Sequence, residues 1–413
     1  MKNAPLLRTL FSKAVCVAAL GYFVDLYDLV LFGIVRVPSL KALGVPEAEL
    51  LSAGTRLLNL QMAGLLVGGF AWGLYGDRFG RMRTLFGSIF LYSVANIANA
   101  FVTGLPVYGL LRFLAGIGLA GELGAAVTLV SEILPLSLRG LGSTVIGLAG
   151  FLGAISAAYV GGATSWKTSY ILGGVLGLVL LTTRLSVGES EFFKKTLGKP
   201  GQLRAGLHAL IVSRERFSKY LRCLVVGTPI WFVAGFLIYF SPEFARELGV
   251  TAPISAGQAI LWSYIGSFCG DLLSGVLSHR LRSRKKAILG FSAFSAVLIP
   301  AYFIVLRNSG PTFFYFFCFL LGVACGYWTL FVAMSSEQFG TNIRATVTTS
   351  IPNLVRAMVI PMMLVYQQLK PTLGITQGAL WIGVTVSIAA LLALASLPET
   401  FHKDLDYFEG LLP

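Results

Sequence analysis

The feature that most constrains this chain is a series of apolar runs of about 20 residues, separated by short polar turns. A helix rises about 1.5 Å per residue, so about 20 residues cross the roughly 30 Å hydrocarbon core of a bilayer. The sequence predicts twelve such spans: 13–36, 52–76, 83–103, 106–131, 142–162, 167–187, 218–240, 256–279, 286–306, 311–335, 345–369 and 375–397. Only 12% of the 413 residues are charged and 56% are hydrophobic. Soluble domains carry about 25% charged residues, so the solvent for this much apolar surface is lipid. The expected fold class is an all-α membrane protein of twelve helices. Lys2, Arg8 and Lys13 precede the first run in the manner of a signal peptide. That run is too long, contains acids and has no small-residue cleavage pattern after it, so it is expected to remain as the first span.

The net charge of +14 lies mainly in short loops on one side. Arg78, Arg81, Arg83, Arg139, Arg280, Arg282, Arg284, Lys285, Lys286 and Arg344 alternate with loops carrying few basic residues. This asymmetry predicts an inner (plasma) membrane protein with both termini cytoplasmic, and does not point to nucleic acid. The longest polar stretch, 188–217, reads as a cytoplasmic linker between two six-helix bundles, 1–187 and 218–413. The halves repeat. "SEILPLSLRG" from Ser131 parallels "SEQFGTNIRA" from Ser336, and "GLYGDRFGRMR" from Gly73 parallels "GVLSHRLRSRKK" from Gly275. Parallel repeats of this kind place a substrate site between them, near the midplane.

These motifs resemble the major facilitator superfamily. "GLYGDRFGRMR" matches the signature of its loop between the second and third helices, and "RFLAGIG" from Arg112 its fourth-helix signature. "FVDLYDLVLFG" and "GIGLAGELGAA" resemble acidic stretches of the phosphate/proton, metabolite/proton and organic-ion branches. The resemblance implies two pseudo-symmetric six-helix bundles that alternate access to a central site. It also implies a cytoplasmic gate at Gly73, Asp77, Arg78, Gly80 and Arg81, with Glu132, Arg139, Glu337 and Arg344 at the adjoining helix ends. Asp77 would face the N-terminus of span eleven, where a helix dipole favours an anion. The alternative is that these charges only set topology. The second copy has His279 in place of Asp77. Span five lacks the Gly-Pro of the family's antiporters, which leans toward symport or uniport.

Charges inside the spans are expensive, so each needs a reason. Asp25 and Asp28 lie three residues apart and share a face of span one. By helical rise, Asp25 sits roughly 18 Å and Asp28 roughly 22 Å from the inner end, with Glu122 at roughly 13 Å and Arg112 at roughly 28 Å along span four. Asp28 is expected to pair with Arg112. Asp25 and Glu122, with Arg112, form a candidate proton-coupling group. A purely structural acid–base cluster is the alternative. Asp271 in span eight reads as structural. Arg356 in span eleven resembles the central arginine of organic-anion transporters. A guanidinium grips a carboxylate or phosphate with two parallel hydrogen bonds. The competing reading pairs Arg356 with Asp25 or Asp28. Trp231, Tyr327 and Tyr264 join Arg356 and Asp28 as candidate substrate contacts.

No nucleotide-binding loop or hydrolase motif is present, so no cofactor and no enzyme activity are expected. His208, His279 and His402 all fall on the basic side, away from any midplane metal site. The five cysteines are scattered singly, without a disulfide framework. The sequence therefore predicts a monomeric secondary transporter of a small organic anion, by proton symport. A cation or metal carrier using Asp25 and Asp28, and a membrane sensor that binds ligand without moving it, remain as alternatives.

Overall fold

A computed structural model describes residues 12–79, 81–122, 139–184, 210 and 212–401. Spans one to six are Lys13–Ala42, Leu50–Phe79, Arg81–Asn99, a fourth that begins as Leu105–Leu119, Arg139–Ala163 and Trp166–Arg184. Span seven is Arg214–Phe232, continued by a π-helical turn over Val233–Ile238. Spans eight and nine are Ala256–Leu281 and Arg284–Val305. Span ten is in two pieces, Pro311–Cys325 and Trp328–Glu337. Span eleven begins as Thr341–Ala357 and runs on into Val359–Ser396.

Nine helices among the described residues are long and apolar enough to cross a bilayer unaided. The last, Thr346–Ser396, holds two spans, because Gly374 breaks it with φ 81°. Spans three and four complete the expected twelve. The linker proposed for 188–217 lies outside the described residues except for 210 and 212–217.

The repeat read from the loops recurs in backbone packing. A Cβ on Gly116 of span four would stand 2.1 Å from the Gln61 carbonyl of span two, and one on Gly64 2.1 Å from the Phe113 carbonyl. In the second half, a Cβ on Gly322 would stand 2.0 Å from the Ser263 carbonyl, and one on Gly266 2.1 Å from the Phe319 carbonyl. Spans two and eight correspond by an offset of 202 (64 to 266), spans four and ten by 206 (116 to 322). Glycine permits this contact because any side chain would hold the helices apart, and small-residue contacts drive association where lipid supplies no hydrophobic force.

The turns at 282–283 and 338–340 lie at the basic end; those at 43–49, 100–104 and 248–255 lie at the other. At that other end the halves are joined. Arg36 of span one, fully buried, holds Glu243 through two hydrogen bonds of 2.7 and 2.8 Å and lies over the Phe240 ring at 4.5 Å. At the basic end, Arg284 and Glu337 pair at 2.6 Å, and Lys285 donates to the Ala395 and Leu397 carbonyls at the end of span twelve.

Candidate functional site

Arg356 of span eleven is completely buried where the halves meet. Its guanidinium stands 3.5 Å from Asp25 Oδ2 of span one. Among the described residues, no guanidinium nitrogen of Arg356 and neither oxygen of Asp25 makes a hydrogen bond. The pair is therefore close enough to neutralise its charge and loose enough to leave its directional capacity unused. A buried group in that condition is costly, and a ligand that fills the hydrogen bonds is correspondingly favoured. The indoles of Trp231 in span seven and Trp328 in span ten flank the guanidinium, with centroids at 5.7 and 5.9 Å. They meet edge to face at 6.5 Å.

The position of Trp328 comes from the break in span ten. Gly326 approaches the Gly270 backbone of span eight so closely that a Cβ on it would stand 2.5 Å from the Gly270 Cα. The helix restarts at Trp328, and its first N–H groups need an acceptor inside the membrane. Asp271, next to Gly270, accepts the Thr329 N–H at 3.0 Å. The indole N–H of Trp328 then donates to the Tyr22 hydroxyl of span one at 3.2 Å. The capping role of Asp271 was not among the sequence-predicted contacts. The signal was Gly326 before two aromatics, opposite an acid in span eight.

Asp25 and Asp28 go separate ways. Asp25 faces the second half, whereas Asp28 turns into the first bundle, where a Cβ on Gly173 of span six would stand 2.2 Å from its Oδ1. The expected direct pair of Asp28 with Arg112 does not form. Arg112 donates to Asn96 of span three at 2.5 Å and lies over the Tyr170 ring at 4.9 Å. Neither Asp28 oxygen makes a hydrogen bond to a described residue. The depth estimate fails here because Asn96, from a third helix, takes the guanidinium's hydrogen bond.

Of the remaining candidates, Glu122 is buried within electrostatic reach of Asp25. Tyr264 is buried, close to both Arg356 and Asp25, and packs on Phe151 at 6.3 Å. Tyr327 is turned away: its hydroxyl donates to the Val226 carbonyl at 3.4 Å. The repeat relates Phe151 to Arg356 by an offset of 205 and Glu122 to Trp328 by 206, so each half carries one charge where the other carries an aromatic. Asn353, one turn before Arg356, donates across the interface to the Ala120 carbonyl at 3.1 Å, where span four itself is interrupted.

A family model described as Major Facilitator Superfamily matches residues 18–360. The chain belongs to that superfamily. It is a membrane transporter and not an enzyme, as are the relatives it resembles. The sialic acid transporter NanX of Escherichia coli (strain K12) is 28% identical, over 97% of this chain and 96% of its own. The niacin transporter NiaP of Acinetobacter baylyi is 24% identical, over 80% of both. The 3-(3-hydroxy-phenyl)propionate transporter of E. coli is 27% identical, over 59% of this chain and 60% of its own. Among solved structures, a D-xylose-proton symporter shares the fold with a TM-score of 0.72 at 17% identity, over 94% of this chain and 98% of that one.

The superfamily's gate residues fall unevenly. Gly80 and Glu132 lie outside the described residues, and the side chains of Asp77, Arg78, Arg81 and Arg139 are likewise not described; Gly73, Asp77 and Arg78 belong to the helix Leu50–Phe79. In the second copy, Glu337 pairs with Arg284 and also accepts from Thr400 at 2.8 Å. Arg344 donates to the Phe339 carbonyl at 3.2 and 3.1 Å. The loop before span nine brings Arg284 to Glu337, while helical geometry keeps Arg344 at the start of its own helix.

Proposed function

We infer that this transporter carries a small organic anion, a carboxylate, by proton symport, with Arg356 as the anchor. The observation that carries the reading is the buried guanidinium between the halves, flanked by two indoles and paired, among the described residues, with Asp25 at 3.5 Å without a hydrogen bond. An arriving carboxylate takes the planar fork of Arg356 with two parallel hydrogen bonds. Asp25 then loses its counter-charge in a buried setting beside Glu122, which favours uptake of a proton by the acid pair. Anion and proton thus enter together, and neither is favoured alone. The three relatives' names, sialic acid, niacin and 3-(3-hydroxy-phenyl)propionate, all denote carboxylic acids, which supports the charge assigned to the substrate.

Alternating access on this reading rocks bundles 1–187 and 218–413 about the site, with 188–217 as the cytoplasmic linker and both termini in the cytoplasm. The pair Arg36–Glu243 closes the outer end, and the Asp77 loop closes the inner one against span eleven. A monomer suffices, because Asp25 and Arg356 come from one chain.

The test is binding and uptake by purified protein in proteoliposomes, using monocarboxylates. Arg356→Ala should abolish saturable binding, and Arg356→Lys should retain little, because an ammonium keeps the charge and loses the fork. Wild-type affinity in a folded Arg356→Ala protein would remove the anchor and favour a cation substrate held by Asp25.

A further inference from the structure

The surroundings of Arg356 narrow the class of anion; this step rests on the anion reading above. The first observation is chemical. The groups lining the guanidinium are the indoles of Trp231 and Trp328, and Tyr22 and Tyr264 stand within its electrostatic reach. Much of the hydrogen-bonding capacity beside these rings is already committed. The Trp328 indole N–H goes to Tyr22, the Tyr239 hydroxyl donates to the Leu29 carbonyl at 2.8 Å, and the Asn353 amide donates to Ala120. Buried atoms here without a hydrogen bond to a described residue include the three nitrogens of Arg356, the two oxygens of Asp25, Asn353 Oδ1 and Thr329 Oγ1. A carboxylate takes the first group. Little then remains for a body carrying several hydroxyls, each of which loses water on entry and must find a new partner.

The second observation concerns charge. Arg112, the other deeply buried arginine near the midplane, lies inside the first bundle, engaged with Asn96 and the Tyr170 ring. Arg36 is held by Glu243 at the far end. Among the described residues, Arg356 is thus the arginine at the meeting of the halves that the two indoles flank. A second carboxylate on the substrate has no counterpart there.

The third observation is that the aromatic wall is held in place. Asp271 caps the helix that begins at Trp328, Gly326 lies against Gly270, and the Trp328 indole is tied to span one. Trp231 packs on it edge to face at 6.5 Å. Fixed edge-to-face indoles favour a flat ring, whose edge and face have matching partial charges, over a puckered ring of the same size.

We propose that the substrate is a planar aromatic monocarboxylate, its carboxylate on Arg356 and its ring against Trp231 and Trp328. The experiment measures ligand-induced thermal stabilisation and competitive inhibition of uptake for four probes: benzoate, cyclohexanecarboxylate, phthalate and D-gluconate. Benzoate should bind about tenfold more tightly than cyclohexanecarboxylate, its non-planar counterpart of equal charge. Phthalate and gluconate should bind more weakly still. Trp328→Leu should collapse the benzoate preference toward unity, and Trp328→Phe, which keeps a ring and guards against misfolding, should retain most of it. If cyclohexanecarboxylate or gluconate matched benzoate while binding still required Arg356, the aromatic class would be wrong and the anion reading would stand. If phthalate bound best, the single-charge argument would be wrong. If no probe bound the folded wild type while cationic solutes did, the anion reading itself would fall, and this inference with it.

Discussion

Asp25 and Arg356 face each other from opposite halves of the transporter at 3.5 Å, both fully buried, and no hydrogen bond joins them. An ion pair with ideal geometry at this site would be a structural clamp. A loose one can be exchanged for another anion without first breaking a pair of strong hydrogen bonds.

On coupling, Asp25→Asn and Glu122→Gln should each abolish uphill uptake driven by a pH gradient. Each should preserve exchange of internal for external substrate, which needs no net proton movement. Uptake with and without a pH gradient, beside counterflow, checks this. Full accumulation in both variants would move the coupling site elsewhere, with Asp271 next to be examined.

On the outer closure, Glu243→Gln leaves the buried Arg36 charge without its partner and should cost about 3–5 kcal/mol of stability, read as a lowered Tm. The double variant Arg36→Met with Glu243→Met removes both charges and should recover most of that loss. Failure of the double variant to recover would assign the loss to packing over Phe240 instead.

On the break in span ten, Asp271→Ala removes the acceptor for the Thr329 N–H and should cost about 0.5–2 kcal/mol, in the range of other helix caps. Asp271→Asn keeps a side-chain oxygen there and should stay close to wild type in stability and substrate affinity. Loss of affinity in the alanine variant, restored in the asparagine one, would identify Asp271 as a positioning residue for Trp328.

On pH, Glu399 lies beyond span twelve, at the N-terminus of span nine. Partial burial alone would raise its pKa, but the Ser283 hydroxyl and the backbone N–H groups of Thr400, Phe401 and Arg284 hold it below the ordinary value of 4.5. A carboxylate whose folded-state pKa is lowered adds stability that is fully present above its unfolded pKa. That stability is lost as the pH falls through the lower, folded value. Glu399→Gln should therefore lower Tm at pH 7, and its deficit relative to wild type should shrink as the pH falls below about 4.5. A deficit unchanged down to pH 3 would mean that the charge at Glu399 is irrelevant.

Much of the frame can be read from residue order, because lipid imposes length and apolarity on each span and leaves basic residues to the turns. The repeat was visible for the same reason: loop signatures are local. What escaped was any contact involving a third helix. Arg112 and Asp28 sit at neighbouring depths, yet Asn96 takes the hydrogen bond that depth alone assigns to Asp28. Glu337 lies in a motif repeated between the halves, but its partner Arg284 comes from another span and is not legible in that motif. Tyr327 and Trp328 are adjacent and look equivalent in sequence. The break at Gly326 sends one hydroxyl to the Val226 carbonyl and the other ring to Arg356. Rise and spacing describe a helix along its axis; side-chain choice of partner is settled around it.

The glycine crossings have a consequence for how such a carrier diverges. Spans two and four, and their copies eight and ten, touch through backbone at Gly64, Gly116, Gly266 and Gly322. Contacts made without side chains are indifferent to which side chains point elsewhere. A duplicated scaffold held in this way keeps its geometry while its two copies drift apart in chemistry, which is how Phe151 and Arg356, or Glu122 and Trp328, come to occupy matching places. A change of cargo then requires new residues at a few inward positions and no redesign of the hull.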